Sequence, residues 1–308
     1  MKINRTIFGF LIFDTLVLFG IAAWYIWGNL SEPRLAFDKQ RALQDVINQV
    51  EYGPRIPGSP AHKQTMAYIQ SELQLAGWKS TILEQQINGH TAYNILATRS
   101  ENKPILLLGA HYDSRIRADN DPIAEKHDTA VPGANDGASG VAVLLEISRS
   151  LPTNSVPCAL LFIDIEDNGR LAGWDWIQGS TAFAKNMTMQ PKAVVIIDMI
   201  GDADLNIYME KNSDLELTTQ LWQTAQKLGY ESSFIPKYKY QVLDDHMPFI
   251  SKGLRAVDII DLDYKYWHTT QDTPDKVSAS SLEKVGLTLL AWIRDYGTCL
   301  DQQNCNEK

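Results

Sequence analysis

Four short, nearly unbroken apolar runs constrain this chain more than any other feature. They are Pro104–Ala110, Cys158–Ile165, Ala193–Ile197 and Ala256–Ile260. Runs of this length without polar alternation read as strands buried on both faces. Helical patterns separate them: Val141–Ser150, a helix starting at Ser180–Lys185, and Asp214–Leu228, with an amphipathic Ser280–Tyr296 at the end. The alternation predicts an α/β three-layer sandwich, a mixed, mostly parallel twisted central sheet with helices on both faces. Ahead of it, Leu43, Val46, Ile47 and Val50 form one helical stripe, and Tyr52–Pro60 breaks the pattern. A second helix runs from Ala61 to before Gly77, and Ser80–Leu83 and Tyr93–Thr98 read as strands. Ligands of such sheets bind beyond the carboxyl ends of the strands, which is where chemistry is to be sought.

Ile7 to Trp27 carries a single charge, Asp14, and is long enough at about 1.5 Å per residue to cross a hydrocarbon layer of roughly 30 Å. Lys2 and Arg5 precede it, and Trp24, Tyr25 and Trp27 close it as interfacial aromatics do. Residues 1–30 are expected to be a single-pass membrane anchor, with a cleaved signal segment as the alternative. Either reading exports the rest of the chain to a periplasmic, extracellular or luminal space. Residues 31–36 are a linker containing Pro33, residues 37–298 one domain, and residues 299–308 a polar tail. Cys299 and Cys305 flank that tail and could pair, while Cys158 reads as a core thiol. With 28 basic and 37 acidic side chains the net charge is −9, which argues against a nucleic-acid partner.

Polar residues suited to metal binding stand at the strand ends. Pro104–Ala110 leads into His111-Tyr-Asp113, Cys158–Ile165 into Glu166-Asp167, and Ala193–Ile197 into Asp198. The loop Gly133-Ala-Asn-Asp136-Gly sets Asp136 before a helix, and Trp267-His268-Thr-Thr-Gln-Asp272 follows the last core strand. Each has a plain alternative: Asp136 as a helix cap, Glu166-Asp167 as a solvated loop pair, Asp198 in a turn, and His111 or His268 as a core histidine. Gathered at neighbouring strand ends, however, the carboxylates would repel one another unless cations compensate. Two histidines and three aspartates make an N/O set suited to zinc, leaving Glu166 to move protons.

These segments, in this order, resemble the zinc-dependent exopeptidase family that includes metallo-aminopeptidases and glutaminyl cyclases. The resemblance runs from Tyr52-Gly-Pro-Arg to the last helix and implies an α/β sandwich. It makes 37–298 a zinc-dependent catalytic domain acting on peptides with a free N-terminus. By resemblance, Glu166 is the general base and acid, Asp136, Asp167 and His268 hold one zinc, and Asp113 orients its neighbours from behind. His111 and Asp198 would hold a second zinc in an aminopeptidase, with Asp136 bridging; a cyclase would carry one.

Two features favour the cyclase branch. Leu243-Asp244-Asp245-His246-Met-Pro-Phe249 resembles the cyclases' Asp-Asp-His-x-Pro-Phe, and Asp244 would build a hydrogen-bonded acid network with Asp198 that relays protons. Trp267 precedes His268 and would wall a glutamine-sized pocket, with Trp174 and Trp176 lining its mouth. Gly-Ala-Asn-Asp-Gly-Ala-Ser-Gly and His268-Thr-Thr-Gln-Asp are shared with peptidases, and Asp167 replaces the usual Glu. The expectation is a zinc-dependent glutaminyl-peptide cyclotransferase that converts N-terminal glutamine to pyroglutamate with release of ammonia. The alternatives are a two-zinc metallo-aminopeptidase and a non-catalytic binding ectodomain.

Overall fold

The computed structural model describes residues 35–301. The predicted anchor at 1–30, nearly all of the linker, and the partnership of Cys299 with Cys305 lie outside the described residues or side chains. Among the described residues no helix is long and apolar enough to cross a membrane. Cys158 is a buried free thiol.

One compact unit begins at Phe37. Helix α1 (Lys39–Glu51) opens on Asp38, whose carboxylate accepts the amides of Gln40 and Arg41. Ser59 caps α2 (Pro60–Leu75) in the same way, with proline in its first turn. Strands β1 (Lys79–Ile87) and β2 (His90–Thr98) form a hairpin closed by Asn88-Gly89. Both turn residues take positive φ, as a two-residue hairpin loop requires.

There follow β3 (Leu106–His111), α3 (Ala138–Ser150), β4 (Cys158–Ile163), α4 (Gln178–Asn186) and β5 (Ala193–Asp198). Next come β6 (Ile207–Met209), α5 (Leu215–Lys227), β7 (Phe234–Tyr238), α6 (Met247–Ser251), β8 (Ala256–Ile260) and α7 (Ala279–Asp301). The main sheet has the order β1-β2-β4-β3-β5-β8. β1/β2 and β2/β4 are antiparallel, and β4/β3, β3/β5 and β5/β8 are parallel. The mixed sheet therefore matches the expected class.

Every residue of β3, β4, β5 and β8 is buried, as unbroken apolar runs demand. Strand alternation divides them between two cores. Leu107, Leu161, Ile163, Val194 and Ile196 pack with Phe183 of α4 and Phe249 of α6. On the other face α3 lies against β3 and β5, backed by α1, α2 and α7. Helices thus cover both faces. From β3 the chain moves to β4 on one side, then crosses to β5 on the other. A crevice at the carboxyl end of β3 follows from that reversal.

Three details depart from the sequence reading. β4 stops at Ile163, not Ile165, because Asp164 turns the chain and Ile165 takes φ +47°. Asp136 does not cap α3: Gly137 is the N-cap, and no side chain caps that helix. β6 and β7 form a small separate parallel sheet that so short an apolar segment as Ile207–Met209 does not announce.

Candidate active site

Every strand end singled out by its polar residues opens on the same crevice. His111 is the last residue of β3 and Asp198 the last of β5, so the two side chains meet at 3.0 Å, His111 Nε2 to Asp198 Oδ1. The same nitrogen lies 3.2 Å from Asp136 Oδ1. Asp136 is brought in by the loop before α3, where Gly137 has φ +88°. A Cβ on Gly137 would come 2.9 Å from His111 Cε1, so only glycine lets this loop close on the histidine.

Asp167 and His268 complete a second group. His268 Nε2 is 2.8 Å from Asp167 Oδ1 and 3.6 Å from Asp136 Oδ2. His268 itself adopts φ +57°, uncommon for a residue with a side chain and frequent at functional sites. Asp136, Asp167 and His268 offer three ligand atoms within 4.8 Å of one another, and so do His111, Asp136 and Asp198. Asp136 belongs to both groups.

The surroundings orient these side chains. Asp113 accepts the amides of Glu166 at 3.0 Å and Asp167 at 3.3 Å, and stands 3.5 Å from His111 Nδ1. Asp272 accepts the amides of Asn135 at 2.8 Å and Asp136 at 3.1 Å, and the Tyr264 hydroxyl at 2.6 Å. Arg115 holds Asp119 through two bonds of 2.7 Å and donates to the Asp167 carbonyl at 2.8 Å. Asp119 in turn lies 3.7 Å from His268 Nδ1.

Glu166 opens on a cleft of about 910 Å³ that is also lined by Asp136, Asp167, Asp198, Asp244 and Trp267. Trp174 and Trp176 line it too. Trp176 stacks on His268 with centroids 5.8 Å apart, and Trp174 on His90 of the hairpin at 3.7 Å. The expected hydrogen bond between Asp244 and Asp198 is not among the contacts of the described residues. Asp198 is engaged by His111, and Asp244 Oδ1 accepts the Asp245 amide instead. Asp244 is still near enough to help raise the pKa of Asp198.

The electrostatics describe a site short of positive charge. Burial, reinforced by neighbouring aspartates, pushes Glu166 well above the usual carboxylate range. Burial and then Asp136 raise Asp167 to about 6, and burial raises Asp198 to about 7 despite His111. Burial also opposes ionisation of Asp136, but His111 and His268 hold its pKa below the ordinary value. The oxygens Asp136 Oδ2 and Asp167 Oδ2 are buried with no hydrogen-bond partner among the described residues. Two orphaned carboxylate oxygens beside an imidazole nitrogen fit a divalent cation with an N/O preference, and zinc suits that donor set.

Sequence reasoning missed Arg115, Asp119 and the work of Asp272. Arg115 and Asp119 sit in a polar, non-helical loop with no strand-end signal, so neither strand ends nor helical spacing marked them.

A parallel-sheet crevice into which buried histidines and carboxylates converge defines an α/β enzyme with a ready N/O ligand set. Residues 94–293 match peptidase family M28, and the chain belongs to that family. It is 24% identical over 298 aligned residues to a glutaminyl-peptide cyclotransferase of Boiga irregularis, covering 79% of this chain and 77% of the relative. Among solved structures it is similar to the glutaminyl cyclase of Tannerella forsythia, with a TM-score of 0.79, 31% identity, and 89% of this chain and 100% of that one covered. A Zn-dependent exopeptidase of Parabacteroides distasonis superposes with a TM-score of 0.79 at 32% identity, covering 84% of this chain and 98% of that one. The resemblance expected from the motifs is met, and the chain is a glutaminyl cyclase-like M28 enzyme.

Proposed function

We propose that residues 37–298 form a zinc-dependent glutaminyl-peptide cyclotransferase that turns the N-terminal glutamine of a peptide into pyroglutamate and releases ammonia. The observation that carries this reading is the convergence of Asp136 and Asp167, with their orphaned oxygens, on His268 Nε2 at the wall of a cleft that Glu166 also lines. Asp136, Asp167 and His268 would hold one zinc ion. Bound there, zinc supplies Lewis-acid polarisation of the substrate's γ-carbonyl.

The chain's own residues do the rest. Glu166 takes a proton from the substrate α-amine as its nitrogen attacks the γ-carbonyl carbon, closing the ring. It then gives that proton to the departing amide nitrogen, which leaves as ammonia. A carboxylate whose pKa is raised by burial suits both halves of that exchange. Trp267 walls the pocket for the glutamine side chain and limits the water that would hydrolyse rather than cyclise. Asp198 and Asp244, both on the cleft wall, would orient the substrate's α-amine by accepting its hydrogen bonds.

A two-zinc aminopeptidase is the second reading, favoured by the group His111, Asp136 and Asp198. In that group His111 Nε2 lies between the two aspartates, 3.0 Å from Asp198 and 3.2 Å from Asp136, the contacts that a second ion would replace.

The test is an assay of glutamine-peptide cyclisation beside release of free amino acids, with bound zinc quantified on the same sample. Pyroglutamyl product at about one zinc per chain supports the cyclase. Free amino acids at about two zincs per chain establish the aminopeptidase, and a zinc-loaded chain that does neither leaves a binding ectodomain. We further propose that residues 1–30 anchor the enzyme with its catalytic domain outside the cytoplasm; recovery of the full chain in a soluble cytoplasmic fraction would refute this.

A further inference from the structure

Behind the cleft lies a second buried knot whose members do not line it. His62, in the first turn of α2, reaches the end of β4, where its Nε2 donates to Asp164 Oδ1 at 2.7 Å. Its ring stacks on Tyr112 with centroids 5.1 Å apart. Tyr112 stands between His111 and Asp113 in the chain, and its hydroxyl donates to the Tyr93 carbonyl at 2.9 Å. Asp164 also accepts the amides of Ile165 at 2.9 Å and Tyr93 at 2.8 Å. His62, Tyr112 and Asp164 are almost wholly excluded from solvent, and among the described residues Nδ1 of His62 has no partner and the bond to Asp164 is the ring's one hydrogen bond.

What this knot holds is a strained turn. Ile165 has φ +47°, a true outlier for a β-branched residue. Such a conformation persists only where the surroundings over-determine it. The Asp164 amide donates to Asn94 Oδ1 at 3.0 Å, and the amides of Gln178 and Ile177 donate to the carbonyls of Ile165 and Glu166 at 3.2 and 3.0 Å. A Cβ on Gly179 would lie 1.8 Å from the Asp164 carbonyl oxygen, so the start of α4 is pressed directly on the turn. The next two residues are Glu166 and Asp167.

We propose that His62 is a positioning residue for Glu166 and Asp167, acting through Asp164. Its hydrogen bond fixes the turn that aims those two carboxylates, and its stack on Tyr112 locks that turn to the strand end carrying His111 and Asp113. The inference rests on the reading of Glu166 as proton carrier and Asp167 as zinc ligand.

The experiment compares the full chain with His62→Ala and His62→Gln, the latter keeping an N–H donor. Melting temperature, zinc loss to a chelator, and kcat and KM on a glutamine peptide are measured on each. His62→Ala is expected to lower kcat by about tenfold or more while KM stays within about twofold, because misaimed reacting groups cost turnover. It should also shed zinc faster, and His62→Gln should recover most of both losses. A folded His62→Ala protein with wild-type kcat and zinc retention overturns the proposal, as does a Gln variant no better than Ala. Should His62→Ala fail to fold, Asp164→Asn tests the same bond from its other end, with unchanged kcat and zinc retention as the overturning result. If the wild-type chain cyclises no glutamine peptide, the functional reading fails, while the zinc-retention arm still decides whether His62 positions Asp167.

Discussion

Asp272 accepts the backbone amide of Asp136 at 3.1 Å, joining the loop before α3 to the segment after β8. The same carboxylate takes the Asn135 amide and the Tyr264 hydroxyl. Asp272→Asn keeps the shape but removes an acceptor, leaving a buried amide facing a buried N–H. Groups that orient metal ligands typically cost 10- to 100-fold in affinity or activity when changed, and about that loss is expected here. Zinc content after dialysis against a chelator checks it, and full retention would show that Asp136 needs no such support.

Glu166→Gln removes the proposed proton carrier and no ligand atom. Turnover should fall by about 10²- to 10⁴-fold with zinc content unchanged. Substantial turnover in this variant would move the proton-carrying role to another residue.

Stability of the metal-free protein should fall as pH rises. Asp167, Asp198 and Asp272 have folded-state values of about 6, about 7 and about 7, each raised first by burial from an ordinary 3.8. The folded state therefore binds more protons than the unfolded one between those values. Their relative stabilisation is complete below about pH 4 and lost as pH climbs through about 7. Zinc loading should raise the melting temperature more at neutral pH than at pH 5, with protons released on binding. Calorimetry with and without chelator reads this directly, and an equal zinc effect at both pH values would contradict it.

Gly137→Ala places a methyl 2.9 Å from His111 Cε1 and from the Asp113 carbonyl oxygen, at a φ of +88°. A strained backbone position of this kind costs about 1–3 kcal/mol, and the loop carrying Asp136 must also shift. Both lower thermal stability and weaker zinc retention are expected. A variant with wild-type melting and metal content would mean that the loop relaxes freely.

Much of this site was legible because a polar residue closing an apolar run is conspicuous. His111 and Asp198 stand at the last positions of β3 and β5, and Glu166-Asp167 just beyond β4. The parallel sheet was legible for the same reason. Partnerships between distant segments were not, because they leave no periodicity: Asp272 with Asp136, Arg115 with the Asp167 carbonyl, and His62 with Asp164. Asp164 was hidden inside its own strand pattern, since one aspartate in an apolar run looks like an interruption and not an end. The placing of Asp244 close enough to Asp198 to act on its charge was legible, while the hold of His111 on Asp198 was not.

The proposed ligand side chains span the chain from Asp136, ahead of α3, to His268, past β8. A nascent polypeptide leaving the ribosome therefore lacks its final imidazole until almost all of the domain has been synthesised. Metal capture would be one of the last events of maturation, and a prematurely terminated product would carry the aspartates without the means to keep an ion between them.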